Sequence, residues 1–437
     1  RGRLKQFHRA GSIHSEIGTP GQIAAGVGMA SPPQVLLVAP ERSYRTGAYV
    51  RAAADLRIDL TVASWGRHPL AINSNGIRLD SESVDHVVSQ IQNAAAEHPF
   101  SAVIATDDGT VPLVKAISER LGLSTNGSRA LCASTNKAAF RTACLEQGLP
   151  SPAFFVVRPN EPADPCFERV GFPCVAKPLS LSASRGVIRC DTQGQLLNAV
   201  ERIRQLLSQE NPNAGQEILV EEYLCGNEYS VEALLHDGQM EVLAIFEKPE
   251  PMTGPFFEET IYVTPPQLDS HTRASIKMIL HKMASALEFR EGPLHAELRI
   301  SEAGISFIEV ASRTIGGRCG KLIEFLTGTS LETWVLSNAV RQSIRPRATS
   351  DAFGVMMIPV PKAGVLRRVE GITNARKVKG IVSVEVDVRE GQKLIPWPEG
   401  GPYPGFIFSR GTSATEAASA LRAAHDQLVF VTAPEFS

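Results

Sequence analysis

The strongest chemical signal in this sequence is a pair of glutamates. Glu297 and Glu309 sit in two runs, His295-Ala-Glu-Leu-Arg-Ile300 and Ile305-Ser-Phe-Ile-Glu-Val310, that flank Ser-Glu-Ala-Gly and read as the arms of a β-hairpin. With Ser301 opposite Ile305 around a three-residue loop, the two glutamates face each other across the strands, their Cβ atoms about 5 Å apart. Like charges so placed repel, and a divalent cation turns that repulsion into a ligand set of the kind magnesium shares with phosphate oxygens. The bland alternative is a solvated hairpin face with both acids in water.

Other candidates lie on either side. Beyond the second acid, Arg313 is followed by Gly316-Gly317, and a fixed guanidinium beside a metal site suits a negative group that forms there. Upstream, Pro173-Cys-Val-Ala-Lys-Pro178 sets Lys177 at the end of an apolar strand. The small-residue run from Leu179 to Gly186, with Ser182 and Ser184, could fold backbone N–H groups over phosphates. Ile218-Leu-Val-Glu-Glu-Tyr-Leu224, followed by Glu228, is an apolar strand leaving through acids into an aromatic and a leucine, a pattern able to hold a purine nucleoside. Asp107 and Asp108 end the third expected strand, where open α/β sheets bind ligands, although Asp-Asp-Gly also reads as a cap and turn. Lys248, before a proline, reads as an exposed lysine or as one reaching phosphate. Each piece alone is ordinary.

The elements that must carry these residues change character along the chain. Val35–Ala39, Leu60–Ala63 and Ala102–Ala105 are short apolar strands alternating with helical stretches at Gly47–Leu56, Asp85–Ala96 and Val111–Leu121, which predicts right-handed βαβ crossovers and a parallel sheet. The first strand is followed by Pro40-Glu-Arg-Ser-Tyr-Arg-Thr-Gly47 rather than G-x-G-x-x-G, which argues against NAD. A helix is expected over Thr135–Gln147, then a small α+β lobe with strands at Ala153–Val157, Cys174–Lys177, Val187–Cys190, Ile218–Tyr223 and Glu228–Leu235 and a helix at Gln195–Leu207. Helices are expected at His271–Leu287 and Gly320–Val340 around the hairpin, and at Ala414–Leu428 after a Pro/Gly-rich stretch, Pro396–Gly405.

Composition narrows the class. The chain has 437 residues, 43% hydrophobic and 21% charged, with 44 basic against 46 acidic side chains and a net charge of −2. That is a multi-domain globular balance, without the basic excess of a general nucleic-acid binder or an apolar run of the roughly 18–20 residues a membrane span needs. The odd count of seven scattered cysteines, none in C-x-x-C, reads as buried apolar thiols of a reducing, cytoplasmic protein. Residues 1–33, rich in Gly, Ser, Ala and Pro, are expected to be a leader, disordered or carried over from expression or upstream translation, with Met29 just before the first strand.

Taken in order, Lys137 after Asn136, Lys177-Pro178 before the small-residue loop, Glu221-Glu222-Tyr223-Leu224 with Glu228, Glu297 with Glu309, and Arg313 resemble the ATP-grasp superfamily. The segment Phe246–Pro265, the Glu-x-Ala-x-Arg pattern at 309–313 and Pro404-Gly-Phe-Ile-Phe-Ser-Arg-Gly411 resemble its dipeptide-forming L-amino acid ligases. The resemblance implies an α/β and α+β fold: a Rossmann-like pre-ATP-grasp domain over 34–125, a two-lobed ATP-grasp core over 126–345 with its small lobe at about 151–222, and a C-terminal α+β domain over 346–437. It implies ATP with Mg²⁺, or Mn²⁺ in its place, and small amino-acid substrates. No nucleic-acid or membrane partner is expected, and a homodimer is allowed because related enzymes are often dimers.

By the same resemblance, Lys137, Lys177, Ser182 and Ser184 hold phosphates, and Glu221, Glu222, Tyr223, Leu224 and Glu228 hold the nucleoside. Glu297 and Glu309 hold the metal, Arg313 and Lys177 are catalytic, and Glu259, Arg313, Gly317 and Asp108 meet substrate. Glu259 aligns with the acid that takes the first substrate's amino group, and Tyr262 falls where relatives can carry a histidine. Ala311, where many ATP-grasp enzymes have asparagine, offers no ligand, and Leu179–Arg185 lacks glycine. The implied reaction makes an acyl phosphate that an amine attacks; biotin carboxylase-like or purine-pathway chemistry and a non-catalytic ATP binder are the alternatives.

Overall fold

A computed structural model describes residues 31–41, 43–65, 75–210, 215–347 and 349–434. The expected leader lies, up to residue 30, outside the described residues. The chain enters on β1 (Gln34–Val38), α1 (Thr46–Leu56), β2 (Asp59–Ser64), β3 (Asn75–Arg78), α2 (Val84–Glu97), β4 (Ala102–Ala105) and α3 (Val111–Arg120). These strands form an all-parallel sheet in the order β3-β2-β1-β4. Val35, Leu36, Leu37 and Val38 are fully buried, as a strand covered on both faces requires. The short and mostly exposed β3 makes Asp107 and Asp108 follow the fourth strand rather than the third.

The helix expected over Thr135–Gln147 is α5 (Lys137–Glu146), and a separate α4 (Ser128–Thr135) that the sequence reading did not contain precedes it. Asn136 is extended between them, and its side chain accepts from the N–H of Ala139, so a cap sets the start of α5. Then β5 (Phe154–Val157), α6 (Cys166–Arg169), β6 (Cys174–Pro178), β7 (Ile188–Cys190), α7 (Gln193–Glu210) and β8 (Ile218–Glu222) build a small antiparallel sheet ordered β5-β8-β6-β7.

The remaining elements are β9 (Asn227–His236), β10 (Gln239–Lys248), β11 (Ile261–Thr264), α8 (Ser270–Ala286), β12 (Gly292–Ser301), β13 (Gly304–Ala311), α9 (Gly320–Thr327) and α10 (Leu331–Ala339). After them come β14 (Ala352–Met357), β15 (Gly364–Glu370), α11 (Ile372–Lys377), β16 (Ile381–Val386), β17 (Lys393–Leu394), β18 (Gly405–Gly411), α12 (Ala414–His425) and β19 (Val429–Ala433). The single helix expected over Gly320–Val340 is two. Gly328 closes α9 in the left-handed region (φ 73°), and the Ser330 side chain caps α10. One eight-stranded sheet, ordered β13-β12-β9-β10-β11-β14-β18-β16, runs from the hairpin into the C-terminal block. Beneath the hairpin, Ile276, Leu280 and Met283 of α8 pack with Leu294, Ala296, Leu298 and Phe307. No helix among the described residues is long and apolar enough to cross a membrane.

Candidate active site

Period-two alternation puts the chemistry on one face of this sheet. On β12, Leu294, Ala296 and Leu298 enter the core, so His295, Glu297 and Arg299 turn to the other side; on β9, Val231 and Ala233 do the same for Glu228, Ser230 and Glu232. Register then pairs them across the strands: His295 with Glu232, Glu297 with Ser230 and Arg299 with Glu228. All three become contacts. Nδ1 of His295 lies 2.5 Å from Glu232, Ser230 Oγ donates to Glu297 at 3.4 Å, and Arg299 Nε donates to Glu228 at 2.9 Å. Burial alone would lower the His295 pKa, but Glu232, with Glu297 at the ring's other nitrogen, holds it up at about 9.

Glu297 does stand opposite Glu309, by a different route from the one expected. The hairpin loop has two residues, Ser301 pairing with Gly304, and a bulge between Glu297 and Leu298 takes up the extra residue on β13, Ile308. The bulge lets Phe307 face the core opposite Leu298 while Glu309, two residues on, faces the site. A regular strand would put both on the same side. Arg141, which the sequence reading missed, holds this irregularity: from full burial it donates to the carbonyls of Phe307 and Ile308, both at 2.8 Å. Its position one turn beyond Lys137 on α5 was the available signal.

Arg141 also donates to both carboxylate oxygens of Glu221, at 2.8 and 3.1 Å, and Lys177 Nζ meets the same group at 2.6 Å. Burial pushes the Glu221 carboxyl up, but these two cations more than reverse it and hold it at about 2. The Lys177 ammonium is pushed down by burial, with Arg141 and Lys137 adding to that against the pull of Glu221. One acid shared by two cations, with Lys137 nearby, leaves this end of the site positive. The Glu221 side chain is therefore an anchor for those cations, and only its backbone is free to act in a nucleoside hinge. Lys137 Nζ donates to the Leu181 carbonyl at 3.2 Å and lies 3.6 Å from Glu309, joining the small-residue loop to the carboxylate pair. Although it lacks glycine before Gly186, that loop takes left-handed backbone at Ala183 (φ 54°) and Ser184 (φ 55°). The C-terminal block braces it: Trp397 Nε1 donates to the Ala183 carbonyl at 3.1 Å, and the Gly186 N–H donates to Pro398 at 2.9 Å.

Lys248 is not exposed. Its ammonium is buried among Glu228, Glu259 and Glu297, at 2.7, 2.8 and 2.9 Å. Burial opposes its charge, but the three acids raise its pKa well above the usual lysine value. Burial likewise raises Glu259, while Glu297, which meets both Lys248 and His295, is held down.

The parallel sheet completes the enclosure. Asp108 accepts from Arg313 Nε at 2.9 Å, and Arg45, buried just after β1, donates to the carbonyls of Thr314 and Ile315 at 3.1 and 3.0 Å. Asp107 makes no helix-cap bond; its carboxylate takes the Thr106 hydroxyl. Gly317 has φ 59°, and a Cβ there would fall 2.3 Å from Met357 Sδ.

A single cavity of about 730 Å³ is lined by Lys137, Lys177, Ser182 and Ser184, by the hinge Glu221–Leu224, and by Glu228, Glu259, Glu297 and Glu309, with Arg313, Gly317 and Asp108 at its far side. Its donors fit a divalent cation: Glu297 and Glu309 oppose each other, all oxygen, with Lys248 and His295 beside the first and Lys137 beside the second. Ala311, paired with His295, adds no ligand.

Residues 170–321 match the ATP-grasp domain family, and residues 356–433 match the L-amino acid ligase C-terminal domain 2. The chain thus carries an ATP-grasp domain. The structure is similar to the L-amino acid ligase of Bacillus licheniformis, with a TM-score of 0.75 and 25% identity over 93% of this chain and 100% of that one. It is 22% identical to the L-arginine-specific L-amino acid ligase of Bacillus subtilis, over 67% of this chain and 71% of that protein. It is 26% identical to the phosphoribosylamine–glycine ligase of Streptococcus suis over 56% of its own length, spanning 62% of that relative. An ATP-grasp domain followed by an L-amino acid ligase domain makes this chain a carbon–nitrogen ligase of the superfamily, and ATP its nucleotide.

Proposed function

We propose that this ATP-grasp ligase joins two L-amino acids into a dipeptide. A carboxylate oxygen of the first attacks the γ-phosphorus of ATP, the bond to ADP breaks, and an acyl phosphate forms. The amine of the second attacks its carbonyl carbon, the carbon–oxygen bond to phosphate breaks, the nitrogen loses a proton, and dipeptide, ADP and phosphate leave. The observation that carries this reading is the charge layout of one cavity, with a cationic end of Lys137 and Lys177 adjoining two opposed carboxylates and then Arg313.

In this reading Lys137, Lys177, Ser182 and Ser184 take the phosphates, Glu222–Leu224 the base, and Glu228 the ribose. Glu297 and Glu309 would hold Mg²⁺, or Mn²⁺, which supplies charge neutralisation on the phosphate oxygens. Lys177 reduces negative charge on the transferring phosphoryl group. Arg313, aimed by Asp108, stabilises charge on the acyl phosphate and the tetrahedral carbon; Asp108 thus meets substrate through the arginine. Glu259 takes the first amino group, and Gly317 lines the same cavity, where a Cβ would run into Met357.

The test is phosphate release from Mg-ATP with the L-amino acids supplied singly and in pairs, followed by mass spectrometry, with Glu309→Gln as control. Amino-acid-dependent ADP, and a product weighing two amino acids less water, is the expected result. Turnover with bicarbonate or another carboxylate, but none with amino acids, would move the chain to the carboxylating or purine-pathway reading.

A further inference from the structure

Tyr403 closes the cavity from the C-terminal block, and nothing in the roles above uses it. Its ring stacks on Trp397, centroids 4.8 Å apart at 25°, and tilts against Phe406 at 6.5 Å. Those contacts set where the phenol points. The hydroxyl is shut off from solvent and finds no hydrogen-bond partner among the described residues. Buried tyrosine hydroxyls ordinarily have a partner, because leaving one without it forfeits its hydration. Here the orphan belongs to a residue lining the candidate active site.

The charges around it say what kind of group would satisfy it. Burial, then Glu259 and Glu258, oppose ionisation of the phenol and raise its pKa well above the usual tyrosine value, so it remains a neutral hydroxyl. The same two acids repel a carboxylate and attract a cation. An α-ammonium carries three N–H donors and can bond a carboxylate and a phenol oxygen together.

We propose that Tyr403 is a substrate-contact residue whose hydroxyl oxygen accepts a hydrogen bond from the α-ammonium group that Glu259 also takes, so that the C-terminal block supplies half of the anchor for the first amino acid. The inference rests on the dipeptide-ligase reading and extends it. Of the other polar side chains this block gives the cavity, Asp387 is paired with Arg318 and Gln392 accepts from the Arg389 N–H, whereas the Tyr403 hydroxyl has no partner among the described residues.

The test compares wild type with Tyr403→Phe, using an amino acid the wild type activates and its desamino analogue, as alternative substrate or competitive inhibitor. Losing one hydrogen bond to a charged group raises the KM for the amino acid about tenfold to a hundredfold. The KM for ATP stays within about twofold, since the nucleotide does not meet this hydroxyl, and the preference for the amino acid over the desamino analogue falls by the same factor as affinity. The thermal midpoint holds or rises, because the deleted hydroxyl bonds nothing in the free protein. An unchanged amino-acid KM, an equal loss for both compounds, or a lowered midpoint would overturn the inference. A wild type silent with every amino acid would instead remove the ligase reading, which an active wild type matched by Tyr403→Phe leaves intact.

Discussion

Replacing Arg141 with methionine keeps most of the buried stem and removes the guanidinium that ties Glu221 to the carbonyls of Phe307 and Ile308. Two routes give the size of the loss at neutral pH. The Glu221 carboxyl is held at about 2 against an ordinary 4.5, and that displacement corresponds to ~3 kcal/mol of stabilisation, drawn from Arg141 and Lys177 together. Breaking a buried ion pair from one side typically costs about 3–5 kcal/mol. Lys177 remains on Glu221 in the variant, so the lower end applies, about 3 kcal/mol in urea denaturation at pH 7 with an unchanged slope.

The pH dependence follows from the sign of the shift. A carboxyl depressed in the folded state contributes fully above pH 4.5 and loses that contribution as pH falls toward 2, so wild type and Arg141→Met converge over that interval. Where the variant is still folded, the bulge that aims Glu309 has lost its donors, and ATP turnover falls about 10²-fold, the cost of displacing a positioned group. A loss below about 1 kcal/mol, or a gap that stays constant from pH 7 to 3, would refute the assignment of Arg141 as the shared anchor.

Lys248→Met leaves three carboxylates whose ligating atoms lie within 4.8 Å of one another, and it should cost about 3–5 kcal/mol, part of it recovered in millimolar Mg²⁺. Thermal midpoints in Mg²⁺ and in EDTA check this, and equal values would count against a cation at these acids. Trp397→Phe keeps the stack on Tyr403 but loses the indole N–H on Ala183, raising the ATP KM about threefold to tenfold; an unchanged value would mean the loop keeps its shape without the C-terminal block. Gly317→Ala puts a Cβ against Met357 at a left-handed position and should destabilise by about 1–3 kcal/mol in urea melts, with Met357→Ala returning only the steric share. Full recovery in that double variant would show that backbone conformation plays no part.

Much was legible in the residues themselves. Alternating apolar strands and helices from Val35 to Leu121 specify a parallel sheet because only βαβ crossovers bury such strands on both faces. The charged types at Lys177, Glu297 and Glu309 are visible as chemistry, since apolar strands carry such groups only where something neutralises them. The break at Gly328 was also written in residue type, as a left-handed glycine, and apolar spacing concealed it.

Other features belong to the assembled fold. The opposition of Glu297 and Glu309 depends on a bulge at Ile308 that no period-two count contains, and on Arg141 reaching across from a helix far away in sequence. The burial of Lys248 among three acids, the hold of Asp108 on Arg313, and the brace of Trp397 on Ala183 likewise join residues from separate elements. A sequence determines which groups carry charge and which strands and helices form, because those follow from local chemistry and spacing. Which charges share a dry space, and therefore which stay ionised and what they hold, was decided only when the sheets and helices packed, since desolvation and distance exist only in three dimensions.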